Sequence, residues 1–413
     1  MERRTDRAHD LVVFGATSFV GQILCRHLAA RHGTDGPLRW AIAGRDAAKL
    51  DRVAAETGAE VERIVVDATD ADGLAEMARS THVVVSTVGP YASYGSPVAA
   101  AVVAEGTDYC DLTGEPQWMR AMIDAHQAEA AESGARVVHA CGFDSLPSDL
   151  GVWFTQQRAL EELGAPCTRI DMAVKAMRGG ASGGTIASML NLMEEAAHDR
   201  DLRRRLADPY LLAPPDTGTG PEQRDVTGPT RDDATGGWAG PFVMATVNTR
   251  VVHRSHGLRG RPWGPDFRYR EVMATGPGAM GAAKAGALTA AMAAGMGAMA
   301  IGPLRRLAAR TVLPKPGEGP SPEAQAAGFF DLRFLGTTAA GATIATQVTG
   351  DRDPGYGSTA KMLGEVATAL ADPSVDRSPG GFWTTSTAFG DGNGPEALIE
   401  RLEAHAGLRF ARR

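Results

Sequence analysis

Cysteine is scarce in this chain, and its few copies are widely separated. Cys25, Cys110, Cys141 and Cys167 are the four cysteines among 413 residues, and no two of them form a CxxC pair. This spacing excludes a disulfide framework and a structural zinc site, and it is typical of a reducing compartment. The first ten residues also lack the apolar run and small-residue cleavage site of a secretory leader. We therefore expect a cytoplasmic protein.

An excess of positive charge is also absent. The chain has 42 Lys and Arg against 49 Asp and Glu, a net charge of -7. Binding to nucleic acid requires a concentrated positive surface, because each contact neutralises a phosphate. The three arginines at 203–205 form only a local cluster, which is typical of a solvated helix face. We predict no nucleic-acid partner.

Segment 285–304 contains no charged residue and consists mainly of Ala, Gly and Met, with Arg305 and Arg306 directly after it. Its length would suit a membrane span, but Ala and Gly contribute little transfer free energy. We interpret the segment as a close-packed helical hairpin or the wall of a substrate tunnel. The alternative is that the segment makes peripheral contact with a membrane, so that the protein is membrane-associated. A true membrane span is the least favoured interpretation.

The first 150 residues alternate between strand-like apolar runs and helical patterns. This alternation predicts an α/β fold, a Rossmann-type doubly wound parallel sheet with crossover helices. The predicted strands are 11–14, 39–43, 61–66, 83–86 and 137–140, and the predicted helices are 19–31, 47–57, 70–80, 97–105 and 116–133.

The pattern changes after this region. We assign 1–150 to an NADP-binding Rossmann domain and 151–350 to a second α/β (α+β) domain for substrate binding and dimerisation, and we expect a homodimer. Residues 351–413 are predicted as C-terminal helices, at 359–371 and 395–406, that pack back on the first domain. Within the second domain we predict helices at 149–162 and 185–206, strands at 169–176, 241–253 and 267–273, a long surface loop at 212–240, and two strands in 329–349 separated at Gly336-Thr-Thr.

The turn Gly15-Ala-Thr-Ser-Phe-Val-Gly21 lies between a predicted strand and a predicted helix. In that context a glycine-rich turn binds a dinucleotide, because glycine permits the tight turn and the amides at the helix start point at the pyrophosphate. Ser18 stands where a third glycine is common, and its hydroxyl is a further candidate ligand for phosphate. The predicted cofactor-binding residues of this turn are Gly15, Thr17, Ser18, Phe19, Val20 and Gly21.

The second strand ends in Gly44-Arg45. A site for NAD usually carries Asp or Glu here to accept the ribose 2′-hydroxyl, whereas a guanidinium suits a 2′-phosphate. We therefore predict NADPH, bound at Gly44 and Arg45. Asp67 ends the third strand, where it meets the adenine amino group or caps the next turn.

The fourth strand runs into Thr87, Val88 and Gly89, at the edge of the sheet where a nicotinamide would lie. We assign these three residues to the cofactor site. Tyr91 and Tyr94 follow at once, and each is a candidate catalytic residue that could protonate a reduced substrate. The alternative is that each tyrosine packs against its surroundings.

Two features of the second domain are candidates for substrate binding. Ser182-Gly-Gly-Thr185 precedes a predicted helix, so its amides could hold a carbonyl, a carboxylate or a phosphate, although an ordinary helix cap is the alternative. Arg250, His253 and Arg254 lie on one predicted strand. The residues assigned to substrate are Ser182, Gly183, Gly184, Thr185 and Arg254.

The combined motifs resemble those of the saccharopine dehydrogenase-like oxidoreductases. They are the glycine turn, Ala43-Gly-Arg45, Ser86-Thr-Val-Gly-Pro-Tyr91, Tyr109-Cys-Asp-Leu-Thr-Gly-Glu115, Cys141-Gly-Phe-Asp-Ser-Leu-Pro-Ser-Asp149, Ser182-Gly-Gly-Thr185, Phe267-Arg-Tyr-Arg-Glu271 and Asp353-Pro-Gly-Tyr-Gly357. The resemblance covers nearly the whole chain and is greatest to the actinobacterial trans-acting enoyl reductases.

This resemblance implies binding of a dinucleotide and reduction of polyketide double bonds during the assembly of complex lipids. It places the glycine turn on the pyrophosphate, Arg45 on the 2′-phosphate and Thr87–Gly89 near the nicotinamide. Ser18 departs from the glycine that is common at its position. The implied partners are an acyl-thioester substrate and a polyketide synthase.

Three hypotheses for function follow. The first is an NADPH-dependent enoyl reductase that delivers hydride to the β-carbon of an α,β-unsaturated thioester. The second is a saccharopine-type enzyme acting on an amino acid, which needs several convergent cations in the second domain. The third is a non-catalytic, lipid-associated NADP-binding protein. We predict no metal site, because His139 and Cys141 alternate on one strand without a third ligand nearby.

Overall fold

The computed structural model describes residues 7–179, 192, 195–196, 199–217, 220–300, 319–390 and 392–413. These residues form two compact units. The first contains residues 7–146 and 355–406, and the second contains the described residues from 147 to 300 together with 320–354 and 407–413. The chain therefore enters each unit more than once.

The first unit is built on a parallel sheet of seven strands in the order β3-β2-β1-β4-β5-β6-β13. Strands and helices are numbered along the chain. The strands are β1 (His9–Phe14), β2 (Trp40–Gly44), β3 (Glu62–Val65), β4 (Thr81–Ser86), β5 (Asp108–Asp111), β6 (Arg136–Val138) and β13 (Gly381–Trp383). The central strands are buried apolar runs, as expected for a sheet covered on both faces.

Helices of the first unit follow the strands in the crossover pattern. They are α1 (Phe19–His32), α2 (Ala47–Thr57), α3 (Ala71–Ser80), α4 (Tyr91–Ala104) and α5 (Pro116–Ser133), with α11 (Thr359–Ala371) and α12 (Gly394–His405) from the C-terminal part. The strand order reverses between β1 and β4, which is the switch point at which open α/β sheets bind ligands. The predicted Rossmann-type fold class is confirmed.

Arg136 ties the C-terminal segment to the far side of this sheet. Its fully buried guanidinium pairs with Asp108 at 2.5 Å and donates to the carbonyl of Leu370 at 3.0 Å. Arg377 also reaches Asp108, at 3.2 Å. Segment 351–413 was predicted as helices alone, which is wrong, because it also supplies β13 to this sheet and a further strand to the second unit.

The second unit contains a mixed sheet of seven strands in the order β14-β12-β11-β7-β10-β9-β8. Only β7 and β10 pair in parallel. The strands are β7 (Cys167–Arg178), β8 (Thr230–Asp232), β9 (Gly237–Pro241), β10 (Arg268–Gly276), β11 (Phe329–Thr338), β12 (Thr343–Gly350) and β14 (Leu408–Arg412). Every second residue of β11 and β12 is buried, so one face of this part of the sheet packs against the core.

The helices of the second unit are α6 (Leu146–Leu163), α7 (Arg200–Ala207), α8 (Ala245–Leu258), α9 (Gly278–Ala300) and α10 (Pro322–Ala326). Segment 241–253 was predicted as a strand, which is wrong, since most of it is α8. The error has a physical cause: α8 is buried on every side from Val247 to Gly257, so it has no polar stripe of helical period.

Two other predicted boundaries change. The loop predicted at 212–240 contains the β8–β9 hairpin, which turns at Gly236 with φ of 69°. The break predicted at Gly336 is also wrong. Gly336 lies inside β11, where a Cβ would stand 2.5 Å from the Cys167 sulfur, and the turn comes later, at Gly341 with φ of 84°.

The apolar segment 285–304 falls mainly on α9, and residues 301–304 lie outside the described residues. Helix α9 packs against β9, with Leu288 beside Gly240, while Met280 and Met296 are 68% and 55% exposed. Nowhere in the described part of the chain is a helix long and apolar enough to cross a membrane.

Candidate functional site

Glycine at both ends of the turn between β1 and α1 is required by close contacts. Gly15 has φ of 89°, and a Cβ there would lie 2.7 Å from the Val88 side chain and 2.8 Å from the Thr87 hydroxyl. A Cβ on Gly21 would lie 2.3 Å from the Gly15 carbonyl. The turn is therefore pressed against the end of β4, in the position that a dinucleotide pyrophosphate occupies in this type of sheet.

Ser18 is the N-cap of α1. Its hydroxyl accepts the Gly21 amide at 2.9 Å and lies 2.9 Å from the Thr87 hydroxyl, which in turn donates to the Gly15 carbonyl at 2.8 Å. The first amides of a helix have no partner within the helix, and Ser18 caps only that of Gly21, so those of Phe19 and Val20 are candidates to bind a ligand. These amides, together with the positive end of α1, form a site suited to an anion.

Arg45 lies at the carboxyl end of β2, directly after the buried Gly44. It is exposed, and no ion pair engages it within the described residues. Asp67, at the end of β3, accepts the amide and hydroxyl of Thr69, and these bonds, with Arg45 nearby, hold the pKa of Asp67 below its usual range. Asp67 thus caps the turn after β3, which was the alternative to contact with the adenine. Arg45 lies nearby with no ion pair to any described residue.

The turn after β4 borders the same edge of the sheet. The Thr87 amide donates to the Phe14 carbonyl at 2.9 Å, which fixes the strand end against β1. Val88 and Gly89 follow and are progressively more exposed. Of the three residues assigned to this part of the cofactor site, Thr87 and Val88 thus contact the glycine turn, and Gly89 follows directly after them.

Tyr91 and Tyr94 occupy different environments although they lie on one helix. Tyr91 is 3% exposed, its hydroxyl donates to the Ser86 carbonyl at 2.9 Å, and its ring packs on Trp118. Burial raises the pKa of this hydroxyl well above its usual value, which weakens it as an acid. Tyr94 is 44% exposed. The geometry favours the packing role for Tyr91 and leaves Tyr94 as the accessible phenol.

Glu115 was quoted in a motif but given no role, and the structure places it at the start of α4. Its two carboxylate oxygens accept the amides of Tyr91 and Ala92, each at 2.9 Å. Glu115 is 1% exposed, and α4 has no other side-chain cap. A carboxylate here satisfies two helix-end amides and complements the helix dipole.

Asp111, at the end of β5, is a second buried carboxylate in this region. It accepts the amides of Thr113 and Ala140, each at 3.1 Å, and lies 2.7 Å from Nδ1 of His139. Ala140 has φ of 58°, an unfavourable conformation for a residue with a Cβ. His139 is therefore held by Asp111 and by the rings of Trp118 and Phe382, as a core residue.

The C-terminal part of the first unit also reaches the glycine turn. The rings of Phe19 and Tyr356 meet edge to face at 5.2 Å. Thr359, at the start of α11, accepts the Phe143 amide at 2.9 Å through its hydroxyl. The sequence motif at 353–357 did not reveal these contacts, because the partner residues lie more than two hundred positions earlier in the chain.

Of the substrate residues predicted in the second unit, the structure describes only Arg254. Ser182, Gly183, Gly184 and Thr185 lie outside the described residues. Arg254 lies on α8, 3% exposed, and donates to the Leu212 carbonyl at 2.7 Å. This is a structural bond between α8 and the loop before it.

A buried polar cluster of the second unit was also missed. Glu271 on β10 accepts the Tyr269 hydroxyl at 2.7 Å and the Asn248 amide at 2.9 Å. Burial raises the pKa of Glu271 to about 7. Across the described residues, no group of three His, Cys, Asp or Glu side chains could hold a metal ion.

Comparison with known proteins agrees with this geometry. Residues 11–138 match the model of the saccharopine dehydrogenase NADP binding domain. A trans-acting enoyl reductase of Mycobacterium ulcerans (strain Agy99) is 37% identical over 414 residues, covering 96% of each chain. A protein of Mycobacterium tuberculosis (strain H37Rv), which carries the same name provisionally, is 41% identical over 416 residues, covering 97% of this chain and 96% of its own.

The chain belongs to the saccharopine dehydrogenase-like family of trans-acting enoyl reductases. This confirms the resemblance seen in the motifs. It also confirms NADPH as the cofactor, because the matched domain binds NADP. The glycine turn, the free amides of α1 and the exposed guanidinium of Arg45 fit that cofactor.

A solved structure has the same fold. Saccharopine dehydrogenase (L-Glu forming) from Saccharomyces cerevisiae superimposes with a TM-score of 0.53, at 13% identity, covering 98% of this chain and 99% of that one. At such low identity the likeness supports the fold and carries nothing about the substrate.

Proposed function

We propose that this protein reduces the carbon–carbon double bond of an α,β-unsaturated acyl thioester with NADPH. The observation that carries the proposal is the 37–41% identity, over nearly the whole chain, to relatives named trans-acting enoyl reductase. The glycine turn and Arg45 follow the carboxyl ends of the adjacent strands β1 and β2, and they suit the cofactor that this reaction needs.

NADPH supplies a hydride when bound. The residues of the chain would orient it: the amides of Phe19 and Val20 would bind the pyrophosphate, and Arg45 would bind the 2′-phosphate. Thr87, Val88 and Gly89 would border the nicotinamide. Gly44 and Asp67 would lie at the adenosine end, at the ends of β2 and β3.

Addition of hydride to the β-carbon leaves an enolate, and a proton must then reach the α-carbon. Overall, one C=C bond becomes a CH–CH bond, NADPH becomes NADP⁺, and one proton is consumed. We assign delivery of the proton to Tyr94, since its phenol is exposed one turn into α4, whereas the Tyr91 hydroxyl is held by Ser86.

The relatives are named trans-acting, which indicates that they act on a substrate carried by another protein. We propose that the enoyl thioester is carried by a separate polyketide synthase and that the product enters lipid synthesis. The exposed apolar surface of α9, with Met280 and Met296, suits a hydrophobic acyl chain better than a zwitterionic amino acid.

The second hypothesis, an amino-acid substrate with two or more carboxylates, needs free cations in the second unit. Arg250 and Arg254, which were predicted as substrate candidates, are already engaged: Arg250 pairs with Asp225 at 2.6 Å, and Arg254 binds the Leu212 carbonyl.

The test uses the full chain, NADPH and a panel of acceptors, followed by loss of absorbance at 340 nm. We expect oxidation of NADPH with a long 2-enoyl thioester and none with the saturated thioester of equal length. Oxidation only with 2-oxo acid and amine pairs would overturn the proposal in favour of the amino-acid hypothesis. Tight binding of NADPH without turnover on either class would favour a non-catalytic protein.

A further inference from the structure

The start of α4 is held by a residue from a different part of the chain. Glu115 lies just before α5, yet its carboxylate binds the amides of Tyr91 and Ala92 at 2.9 Å each. These are the first two amides of α4, directly after the turn of residues 88–90. Glu115 therefore fixes the point at which this turn enters its helix.

The Glu115 backbone is held as well. Its amide donates to the Thr113 hydroxyl at 3.2 Å, and the Thr113 amide donates to Asp111 at 3.1 Å. Asp111 also accepts the Ala140 amide at 3.1 Å and approaches His139 at 2.7 Å. The ends of β4, β5 and β6 are thus joined through two carboxylates that are at most 1% exposed.

Such a network is more than an N-cap requires. A Ser or Asp at the cap position accepts one amide of its own helix, as Ser18, Asp46 and Asp70 do for α1, α2 and α3. Pro90 occupies that position in α4 and has no side-chain donor or acceptor. The turn is consequently placed relative to β5 and β6 as well as to its own helix.

We infer that Glu115 is a positioning residue that sets the turn of residues 88–90 against the nicotinamide end of the cofactor. The inference rests on the proposed function in placing that ring beside this turn. Glu115 itself is buried, and it acts through the backbone amides of Tyr91 and Ala92.

The test compares two ligands that differ only at the nicotinamide end: NADPH and 2′-phospho-ADP-ribose, which lacks that ring. Glu115→Gln keeps the size of the side chain but replaces one accepting oxygen by a donor that opposes an amide. We expect the Kd of NADPH to rise about tenfold, while the Kd of 2′-phospho-ADP-ribose stays within about twofold, both measured by calorimetry.

Glu132→Gln is the matched control, because Glu132 is an exposed glutamate on α5. It should change neither Kd. Equal weakening of both ligands by Glu115→Gln would show a general structural role and overturn the inference, as would no change in either. If Glu115→Gln does not fold, Thr113→Val removes the support of the Glu115 amide and should weaken NADPH selectively, by a smaller factor.

Failure of the proposed function is separable from failure of this inference. The binding comparison needs no enoyl substrate, so it stands even if the chain reduces a different acceptor. With an active acceptor, Glu115→Gln should in addition lower kcat more than it raises the KM of the acceptor, since the hydride would be misaligned while the acceptor site is intact.

Discussion

The Ser18 hydroxyl lies 2.9 Å from the Thr87 hydroxyl, so a side-chain contact joins the glycine turn to the turn that follows β4. The same hydroxyl caps α1 through the Gly21 amide. Glycine at this position would leave both connections unmade. The serine that departs from the usual glycine pattern thus links the two turns that we propose as the cofactor site.

This link leads to a prediction for Ser18. Ser18→Ala should lower the free energy of unfolding by about 1 kcal/mol, because α1 loses its N-cap, whereas Ser18→Gly should cost only a few tenths. The measurement is the change in the melting temperature of each variant relative to the wild type. Ser93→Ala, at an exposed position of α4, is the control. Equal losses for Ala and Gly would contradict the capping role.

Arg45 should determine which dinucleotide binds. Arg45→Ala removes a charge-assisted bond to the 2′-phosphate, so the Kd of NADPH should rise about 10- to 100-fold, while NADH binding changes little. Titration of both dinucleotides by nicotinamide fluorescence measures this. Arg52→Ala, an exposed arginine on α2, should leave the preference for NADPH unchanged. An unchanged preference in Arg45→Ala would refute the assignment.

The two tyrosines of α4 should separate stability from catalysis. Tyr91→Phe loses the bond to the Ser86 carbonyl and should cost about 1 kcal/mol of stability, with kcat largely retained. Tyr94→Phe should leave the melting temperature unchanged and lower kcat about 100-fold or more if its phenol supplies the proton. Full activity in Tyr94→Phe would transfer proton delivery to another group or to water.

Glu271 should make stability fall as the pH rises. Its folded pKa of about 7 exceeds the ordinary value of 4.5, so the folded state holds a proton that the unfolded state releases. The stabilisation is complete below pH 4.5 and is lost as the pH rises to about 7, a change of about 3 kcal/mol.

Glu271→Gln should remove this part of the pH dependence, since the amide cannot ionise. Urea unfolding of the wild type and the variant at intervals from pH 4.5 to pH 8 measures the difference. The exposed Glu222→Gln should retain the wild-type slope. Parallel curves for wild type and Glu271→Gln would show that Glu271 ionises normally.

Much of the first unit could be predicted from local sequence, because its strands are uninterrupted apolar runs and its turns carry glycine where a Cβ would clash. The start of α4 is an instructive exception. The helix was predicted over residues 97–105 from the alternation of strand-like and helical patterns. It begins at Tyr91 instead because Glu115, distant in sequence, supplies the cap.

The second unit was harder to predict because its polar residues are buried and satisfied by distant partners. Arg250 and Arg254 looked like free cations on a strand, but their acceptors, Asp225 and the Leu212 carbonyl, are far away in the chain. The roles of Asp111 and Glu115 were invisible for the same reason. β13 and β14 have only three and five residues, too few for a periodic signal.

These two short strands also bear on how the protein is made. β13 completes one sheet at residues 381–383, and β14 completes the other at residues 408–412. On the ribosome, neither sheet can acquire the strand that completes it until the residues before that strand, 380 for β13 and 407 for β14, have been synthesised. Both units would thus leave the exit tunnel with an open sheet edge, a surface that invites mispairing until these strands emerge.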